Sequence, residues 1–402
     1  MLFLIQSMYD IILNLIFSLQ FIIFLFLFII LYQIFIYFIR DRSYIIAFKN
    51  SIDPEINSIN DLIETPLVTI IVPAWNEGEI FNGCLLEINK LSYPNLKVIV
   101  NAGGSDETIN IANSFKKYDD FTIIYQKQGE GKIKAINDCL KYISEGIVYL
   151  IDADTYLDDE IFFQMLHSII NNKEKVTVSR TKPHRSIQNK DLAKYIYINR
   201  NPWFSHQFSI YSKIITQNTI LSYEIIDKVS PFSEGILSDD SLVIGLDIRN
   251  KGYKIINIKN MVESFNFPLK IKDYYNQNLR WLENALYSEI RIKKGTIMKY
   301  ILSVFLSIYI LISPILFLVN SYLFFIALEL LLYKYLKKIR KILFYKSTKK
   351  DNSFKFHLKF YLKIIFYIYL ELTMNLIVFF ELLFYQKAYK KRKNLDKTSD
   401  NQ

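Results

Sequence analysis

The stretch Ile147-Val148-Tyr149-Leu150-Ile151-Asp152-Ala153-Asp154 decides the fold class, because a short apolar run ends in two acidic residues. Its first five residues have the length and β-branched content of a strand. Comparable apolar runs occupy residues 68–72, 96–100, 121–125 and 176–178, and helical patterns of apolar residues separate them. Such βαβα order predicts a mostly parallel sheet with helices on both faces.

Small, polar or acidic residues follow three of these predicted strands. Pro73-Ala74-Trp75-Asn76-Glu77 comes after the first, Asn101-Ala102-Gly103-Gly104-Ser105-Asp106 after the second, and Asp152-Ala153-Asp154 after the fourth. Ligands of open α/β sheets bind beyond the carboxyl ends of the strands. The sequence therefore predicts a binding site formed by these loops.

Asp152 and Asp154 are separated by one residue as the chain leaves its strand. Two carboxylates at that spacing can hold Mg²⁺ or Mn²⁺, and the cation can then bridge a substrate diphosphate. Strand ends are also acidic for solvation or for helix capping. The spacing alone leaves both interpretations open.

A second acidic cluster, Ser238-Asp239-Asp240, precedes an apolar helical pattern. One interpretation is a helix N-terminus whose acids interact favourably with the helix dipole. The other makes Asp240 a general base that takes a proton from an attacking hydroxyl. Both interpretations are compatible with the spacing.

Five consecutive residues, Gln277-Asn278-Leu279-Arg280-Trp281, place Gln277, Arg280 and Trp281 at helical spacings of three and four. On a helix they share one face. That face offers an amide, a guanidinium suited to phosphate oxygens and a ring on which a sugar can stack. Trp281 is also compatible with an interfacial tryptophan on an amphipathic helix.

Composition indicates a membrane protein, because 51% of the 402 residues are hydrophobic and 16% are aromatic. Residues 11–39 are long enough for a span of roughly 20 residues. Residues 300–333 predict two spans, because Pro314 and Asn320 interrupt them. Residues 362–385 predict a last span that carries Glu371 and Asn375. These two side chains either face a channel between spans or pack helices together.

Basic residues predict the orientation of the chain in the membrane. Arg40 and Arg42 follow the first span, and a basic stretch begins at residue 334. By the positive-inside rule both flanks, and the domain between them, are expected in the cytoplasm of a multi-pass protein of the cell membrane. The net charge of +10 is interpreted as this bias together with attraction to membrane lipid, and no nucleic acid partner is expected. Cys84 and Cys139 are expected to be core thiols.

The expected domains follow from these patterns. A membrane anchor covers residues 1–42, and a cytoplasmic α/β domain covers residues 43–290 and includes the Gln277–Trp281 helix. A C-terminal transmembrane region covers residues 291–390 and contains a basic loop at 334–357. A polar tail covers residues 391–402.

The order of the motifs resembles family-2 glycosyltransferases of the GT-A type. It resembles above all the processive membrane branch that includes cellulose, chitin, hyaluronan and poly-N-acetylglucosamine synthases. The resemblance covers roughly residues 66–285 and the flanking membrane layout. It is carried by Val72-Pro73-Ala74-Trp75-Asn76-Glu77, Gly131-Lys132 with Ala135 and Asn137, Asp152-Ala153-Asp154, Ser238-Asp239-Asp240 and Gln277-x-x-Arg280-Trp281. It implies a Rossmann-like GT-A domain flanked by transmembrane helices.

The resemblance also implies a role for each motif residue. The implied donor-binding residues are Ala74, Asn76, Glu77, Asn101, Asp106, Lys132, Asp152 and Arg280. Asp152 and Asp154 would hold Mg²⁺ or Mn²⁺, and Asp240 would be the catalytic base. The implied acceptor-binding residues are Asp239, Gln277 and Trp281.

Two motifs depart from the family pattern. Residues 101–104 read Asn-Ala-Gly-Gly where Asp-Asp-Gly-Ser is usual, and Ser238-Asp239 stands where Thr-Glu is usual. One carboxylate contact to the nucleotide is thereby lost. The Asn101 carbonyl can still accept a hydrogen bond from a uracil ring nitrogen, so a UDP-sugar remains the expected donor.

The function implied is inverting transfer of sugar from a nucleotide sugar to a growing polysaccharide. An alternative is a non-processive enzyme that adds single sugars to a lipid or glycolipid acceptor. A third hypothesis, motivated by the altered Asn101-Ala102 loop, is an inactive partner that retains the fold. The expected partners are the nucleotide sugar, a glycan or lipid-linked acceptor, and membrane lipid.

Overall fold

The computed structural model describes residues 18–50, 56, 58–200, 216–233, 240–292, 296–348 and 356–384. The described chain falls into two compact units. The sheet unit comprises the described parts of Ile52–Tyr197 and Ser205–Tyr274. The helical unit comprises those of Met1–Ser51, Ile198–Phe204 and Tyr275–Ala388.

The sheet unit is built on one mixed sheet. Its strands are β1 (Val68–Trp75), β2 (Leu96–Gly103), β3 (Phe121–Tyr125), β4 (Ile147–Ile151), β5 (Thr155–Tyr156), β6 (Val176–Pro183), β7 (Asn218–Ser222) and β8 (Ile256–Ser264). Their order in the sheet is β3-β2-β1-β4-β7-β6-β8-β5. β3, β2, β1 and β4 are parallel, whereas β7 runs antiparallel to both β4 and β6. The five predicted strands and the mostly parallel sheet are therefore confirmed.

Helices occur throughout both units. In chain order they are α1 (Leu19–Ile36), α2 (Arg42–Asn50), α3 (Gly78–Ile88), α4 (Thr108–Ser114), α5 (Gly131–Leu140), α6 (Asp159–Ile170), α7 (Asp191–Arg200), α8 (Tyr223–Val229), α9 (Asp240–Asn250), α10 (Ile271–Ile292), α11 (Thr296–Leu311), α12 (Ser313–Val319), α13 (Ser321–Thr348) and α14 (Leu358–Phe384). A π-helical segment, Tyr37–Asp41, joins α1 to α2.

The sheet is covered by helices on both faces, as predicted. Neighbouring residues of β1 point to opposite faces, because side chains alternate along a strand. Ile70 packs into a core that contains side chains of α3, α4 and α6. Ile71 packs into a second core with α5, α8 and α9. Cys84 lies in the first core and Cys139 in the second, and both are buried free thiols.

Asn137 fixes α5, the helix whose first turn carries Lys132. Its Nδ2 donates to the carbonyl of Phe232 at 2.9 Å, and its Oδ1 accepts from the Phe232 N–H at 2.9 Å. Asn137 is buried. One side chain thus satisfies two backbone groups of the segment after α8, and this restrains the position of α5.

We expect Asn137→Ala to lower the free energy of unfolding by about 2–3 kcal/mol, because two buried backbone groups lose their partners. Thermal melting of the full chain in detergent measures the effect. Asn82→Ala is the matched control, since Asn82 bonds to Glu79 at the solvent-exposed surface of α3. Equal melting temperatures for the two variants would contradict this role of Asn137.

Two described helices are long and apolar enough to cross a membrane, namely Leu19–Lys49 and Leu358–Phe380. The pair Met298–Leu311 and Ser313–Val319 is bent by 63°, and it would make a third span if it acts as one broken helix. The breaks fall at the predicted interruptions, since α12 begins one residue before Pro314 and ends one residue before Asn320.

The basic stretch at 334–357, expected to be a loop, is helical up to Thr348 in the structure. Lysine, arginine and leucine all have high helix propensity. A high density of basic residues therefore does not end the helix, and the prediction of a loop was wrong up to Thr348.

Two carboxylates of the helical unit are paired with basic side chains, whereas the buried carboxylate of Glu329 accepts no hydrogen bond from the described residues. Arg340 lies 2.8 Å from the fully buried carboxylate of Asp41, and it donates to Gln33 Oε1 at 2.9 Å. Lys338 Nζ donates to both carboxylate oxygens of Glu371 at 3.0 Å. Buried charges are costly unless they have partners. Of the two interpretations of Glu371, this geometry favours helix packing over a channel lining.

Candidate active site

The loops that follow β1 and β2 are interlocked through Asn76. This residue has a left-handed backbone, with φ of 55°, and its Oδ1 accepts from the Ser105 N–H at 2.8 Å. Gly104 has φ of 118°, and a Cβ at this position would overlap the Asn76 amide. Glycine is therefore required at residue 104 by both conformation and close approach.

Asp106 and Thr108 complete this connection between the two loops. Asp106 Oδ2 accepts from the Gly78 N–H at 3.0 Å, and its Oδ1 accepts from the Thr108 N–H at 3.0 Å. Thr108 Oγ1 in turn accepts from the Glu77 N–H at 2.8 Å. Asp106, expected at the donor, thus uses its carboxylate to hold the backbone that carries Glu77.

Three carboxylates, those of Glu77, Asp152 and Asp154, are crowded at the carboxyl ends of β1 and β4. Burial and repulsion by Asp152 raise the pKa of Asp154 to about 7. Burial, Asp154 and Asp152 raise the pKa of Glu77 to about 7, although Lys132 opposes this shift. Asp154 Oδ1 accepts hydrogen bonds from Thr155 Oγ1 at 3.2 Å and Ser264 Oγ at 3.4 Å. Such mutual repulsion is typical of a site that binds cations.

Lys132 supplies a positive charge to this cluster. Its Nζ donates to Asp152 Oδ1 at 2.5 Å and to Thr216 Oγ1 at 3.0 Å. Within the described ranges, no group of three or more His, Cys, Asp or Glu side chains is arranged to hold a metal ion. Mg²⁺ sites use one or two carboxylates together with substrate phosphates, so the pair Asp152 and Asp154 fits such an ion.

Asn101 presents an unsatisfied acceptor in the interior of the sheet unit. Only 1% of its surface is exposed, and its Nδ2 donates to the carbonyl of Ala135 at 3.1 Å. Its Oδ1 is buried and accepts no hydrogen bond from the protein. A buried acceptor without a partner is costly, and a donor group on a ligand would remove that cost.

The remaining predicted residues are described only in part. Asp239 lies outside the described residues, and Asp240 is the first residue of α9. Gln277, Arg280 and Trp281 lie on α10, as predicted, in the helical unit. Gln277 is half-buried and Arg280 is exposed, while the side chains of Asp240 and Trp281 are not described.

The chain matches the family described as "Glycosyl transferase family 2" over residues 69–222 and that described as "Glycosyl transferase family group 2" over residues 147–337. The protein is a family-2 glycosyltransferase. Among its relatives is the poly-beta-1,6-N-acetyl-D-glucosamine synthase of Staphylococcus epidermidis, 25% identical over 293 residues, which are 70% of each chain. The corresponding Staphylococcus aureus (strain COL) protein is 29% identical over 136 residues, which are 34% of this chain and 31% of the relative.

A solved structure supports the GT-A fold of this glycosyltransferase. The mannosyltransferase PcManGT from Pyrobaculum calidifontis, solved with GDP-Man and Mn²⁺, superposes with a TM-score of 0.50 at 16% identity. The alignment covers 89% of this chain and 99% of that one. The predicted fold class, a GT-A sheet domain with apolar helices on its flanks, is therefore confirmed.

The structure of the glycosyltransferase adds site residues that the sequence did not indicate. Thr108 holds the Glu77 backbone, Thr216 contacts Lys132, and Ser241 lies 3.1 Å from the Thr216 hydroxyl. Single hydroxyl residues have no distinctive spacing. Of these three, only Ser241 lies beside a predicted motif, because it directly follows Asp240.

We expect Glu77→Gln to stabilise the glycosyltransferase at about pH 8 by roughly 1–2 kcal/mol after allowance for solvent screening, with little effect at about pH 5. A raised carboxyl pKa means that the folded state binds more protons than the unfolded state between about pH 4.5 and 7. Stability of the wild type therefore falls as pH rises through that window. The glutamine variant lacks this loss.

Thermal melting at several pH values, with a chelator present, measures the difference between Glu77→Gln and the wild type. Glu79→Gln is the control, since Glu79 is exposed on the first turn of α3. A Glu77→Gln difference that is constant from about pH 5 to 8 would contradict the raised pKa.

Proposed function

We propose that this glycosyltransferase transfers sugar from a UDP-sugar, with inversion at the anomeric carbon, to a growing polysaccharide. The observation that carries the proposal is the convergence of Glu77, Asp152, Asp154 and Lys132 at the carboxyl ends of β1 and β4. Similarity over 70% of the chain to a poly-beta-1,6-N-acetyl-D-glucosamine synthase supports a polymer as the product.

The donor nucleoside is assigned to the loops after β1 and β2. The unsatisfied Oδ1 of Asn101 is suited to the N–H of a uracil ring, which would give this buried oxygen a partner. Ala74 is nearly fully buried at the end of β1, and the side chains of Asn76 and Asp106 hold the backbone on either side of Glu77 and Ser105. The Asn101 acceptor supports uridine as the nucleoside.

Asp152 and Asp154 are assigned to Mg²⁺ or Mn²⁺. When bound, the ion would stabilise the negative charge of the departing diphosphate. Lys132 adds a positive charge at the same carboxylates. On the family motif, Arg280 is assigned to the diphosphate as well, because a guanidinium is suited to phosphate oxygens.

Asp240 is assigned as the base, and Asp239, Gln277 and Trp281 as acceptor-binding residues. Asp240 takes the proton of the attacking acceptor hydroxyl while that oxygen bonds to the anomeric carbon. The bond from the anomeric carbon to the diphosphate oxygen breaks, and UDP leaves with its electron pair. One displacement inverts the configuration at the anomeric carbon.

The enzyme is placed in the cell membrane as a multi-pass protein, with its sheet unit in the cytoplasm. Two candidate spans and the basic residues at 40–42 and 334–350 support this placement. A non-processive enzyme with a lipid or glycolipid acceptor is the second candidate. It is favoured by the small number of candidate spans among the described residues, since a pore from one chain needs more helices.

We expect Asp240→Asn to lower sugar transfer by about 10²–10⁴-fold, because the amide cannot accept the acceptor proton. Membranes that contain the enzyme are given radiolabelled nucleotide sugars with Mg²⁺ or Mn²⁺. Asp227→Asn is the control, since Asp227 is an exposed residue of α8. A wild type without turnover on any donor, together with no effect of Asp240→Asn, would support the inactive-partner hypothesis.

We expect Trp281→Ala to shorten the product by several-fold while UDP-sugar is still consumed, because loss of a stacking ring weakens the hold on the acceptor. Gel sizing of radiolabelled product measures chain length. The control is Tyr142→Ala, which removes an exposed ring of the sheet unit. Single-sugar lipid adducts from the wild type would instead establish the non-processive candidate.

A further inference from the structure

A chain of hydrogen bonds leads from the proposed metal site to the helix that begins at Asp240. Lys132 Nζ donates to Asp152 Oδ1 at 2.5 Å and to Thr216 Oγ1 at 3.0 Å. Thr216 Oγ1 lies 3.1 Å from Ser241 Oγ, and the Thr216 N–H donates to the same Ser241 oxygen at 3.5 Å. Ser241 is in the first turn of α9.

The chemistry of these groups fixes two of the donors. An ammonium can only donate, so the Thr216 oxygen accepts from Lys132. The Thr216 N–H donates to Ser241 Oγ, and the two hydroxyls share a hydrogen bond in which either can be the donor. Thr216 therefore links Lys132 to Ser241 through both its hydroxyl and its backbone.

Burial strengthens the hydrogen bond between Lys132 and Thr216. Thr216 is 2% exposed, and the side chain of Lys132 is 30% exposed. Hydrogen bonds to a charged group are stronger than those between neutral groups, and water competes poorly at a buried hydroxyl. Lys132, in the first turn of α5, is thus held by Asp152 after β4 and by Thr216 before β7, and Thr216 in turn contacts Ser241 of α9.

We propose that Thr216 and Ser241 are positioning residues, which couple the place of Lys132 at the donor site to the first turn of the helix that carries the base. This inference rests on the proposed function, since it takes Asp240 as the base and Lys132 as a donor contact. Neither hydroxyl takes part in the bond changes. Each acts on geometry, so its loss should lower the rate of the bound complex and weaken nucleotide binding.

A structural role alone would predict lower stability without a kinetic effect. The chain offers a matched pair for this alternative, because Ser168 Oγ and Thr177 Oγ1 are 2.7 Å apart and both are buried. That pair joins α6 to β6. Ser168→Ala and Thr177→Val remove the same chemical groups as Ser241→Ala and Thr216→Val.

The test compares these four variants in the full-length enzyme. We expect Thr216→Val and Ser241→Ala each to lower kcat by about 10-fold and to weaken UDP binding with Mn²⁺ by about 3-fold. Calorimetry measures UDP binding independently of turnover. The control variants should melt at lower temperature, yet keep wild-type kcat and UDP affinity. Thr216→Ser retains the hydroxyl and should restore most of the lost activity.

A double variant tests whether Thr216 acts through Lys132 or independently of it. If the hydroxyls act as one chain, Thr216→Val combined with Lys132→Met should be no worse than Lys132→Met alone. Multiplied effects in the double variant, or kinetics like those of the Ser168 and Thr177 controls, overturn the positioning role. A wild type that neither binds UDP nor transfers sugar overturns the proposed function, and this inference with it.

Discussion

The ion pair between Lys132 and Asp152 is the interaction on which the site depends. Burial and repulsion among the carboxylates at the ends of β1 and β4 raise the pKa values of Glu77 and Asp154 to about 7. Without a cation this crowding would be unfavourable, since like charges repel strongly where water is excluded. The Lys132 ammonium offsets part of this repulsion. Its hydrogen bond to Thr216 connects the same charge to α9 through Ser241.

The rest of the sheet unit holds this cluster in place. Asn137 anchors α5 through two backbone hydrogen bonds, and Lys132 therefore emerges from a restrained helix. The loops after β1 and β2 are joined by Asn76, Asp106 and Thr108. Two residues expected to contact the donor, Asn76 and Asp106, are thus committed to loop structure. Asn101 differs, because its buried Oδ1 accepts no hydrogen bond from the protein and is suited to a nucleobase.

Ion pairs also connect the helices of the helical unit, where they do not form part of the proposed active site. Arg340 joins α13 to Gln33 of α1 and to Asp41 of the π-helical segment, while Lys338 joins α13 to Glu371 of α14. An unpaired charge in apolar surroundings is energetically costly. Asp41 and Glu371 therefore stabilise the helix contacts through which Arg340 and Lys338 reach them. Glu371, which lies within a predicted span, therefore has a packing role here, which hydropathy cannot distinguish from a channel lining.

The sequence by itself determined the five apolar strands, the parallel order and the loops that carry Asn76, Asp152 and Asp154. The apolar pattern of a strand is a local property of the sequence. Strands that run parallel end at the same edge of the sheet, so the loops after them lie at that edge. It also determined the helix at Gln277–Trp281. Only the tertiary structure decided that Lys132 meets Asp152, that Asp106 binds backbone, and that Thr216 and Ser241 join the site. Those contacts link residues 20–84 positions apart in sequence, and local patterns hold no information about such distances. The antiparallel β7 was likewise decided by packing, because burial outweighs local propensity, whereas α13 continues through its lysines because lysine, arginine and leucine favour a helix.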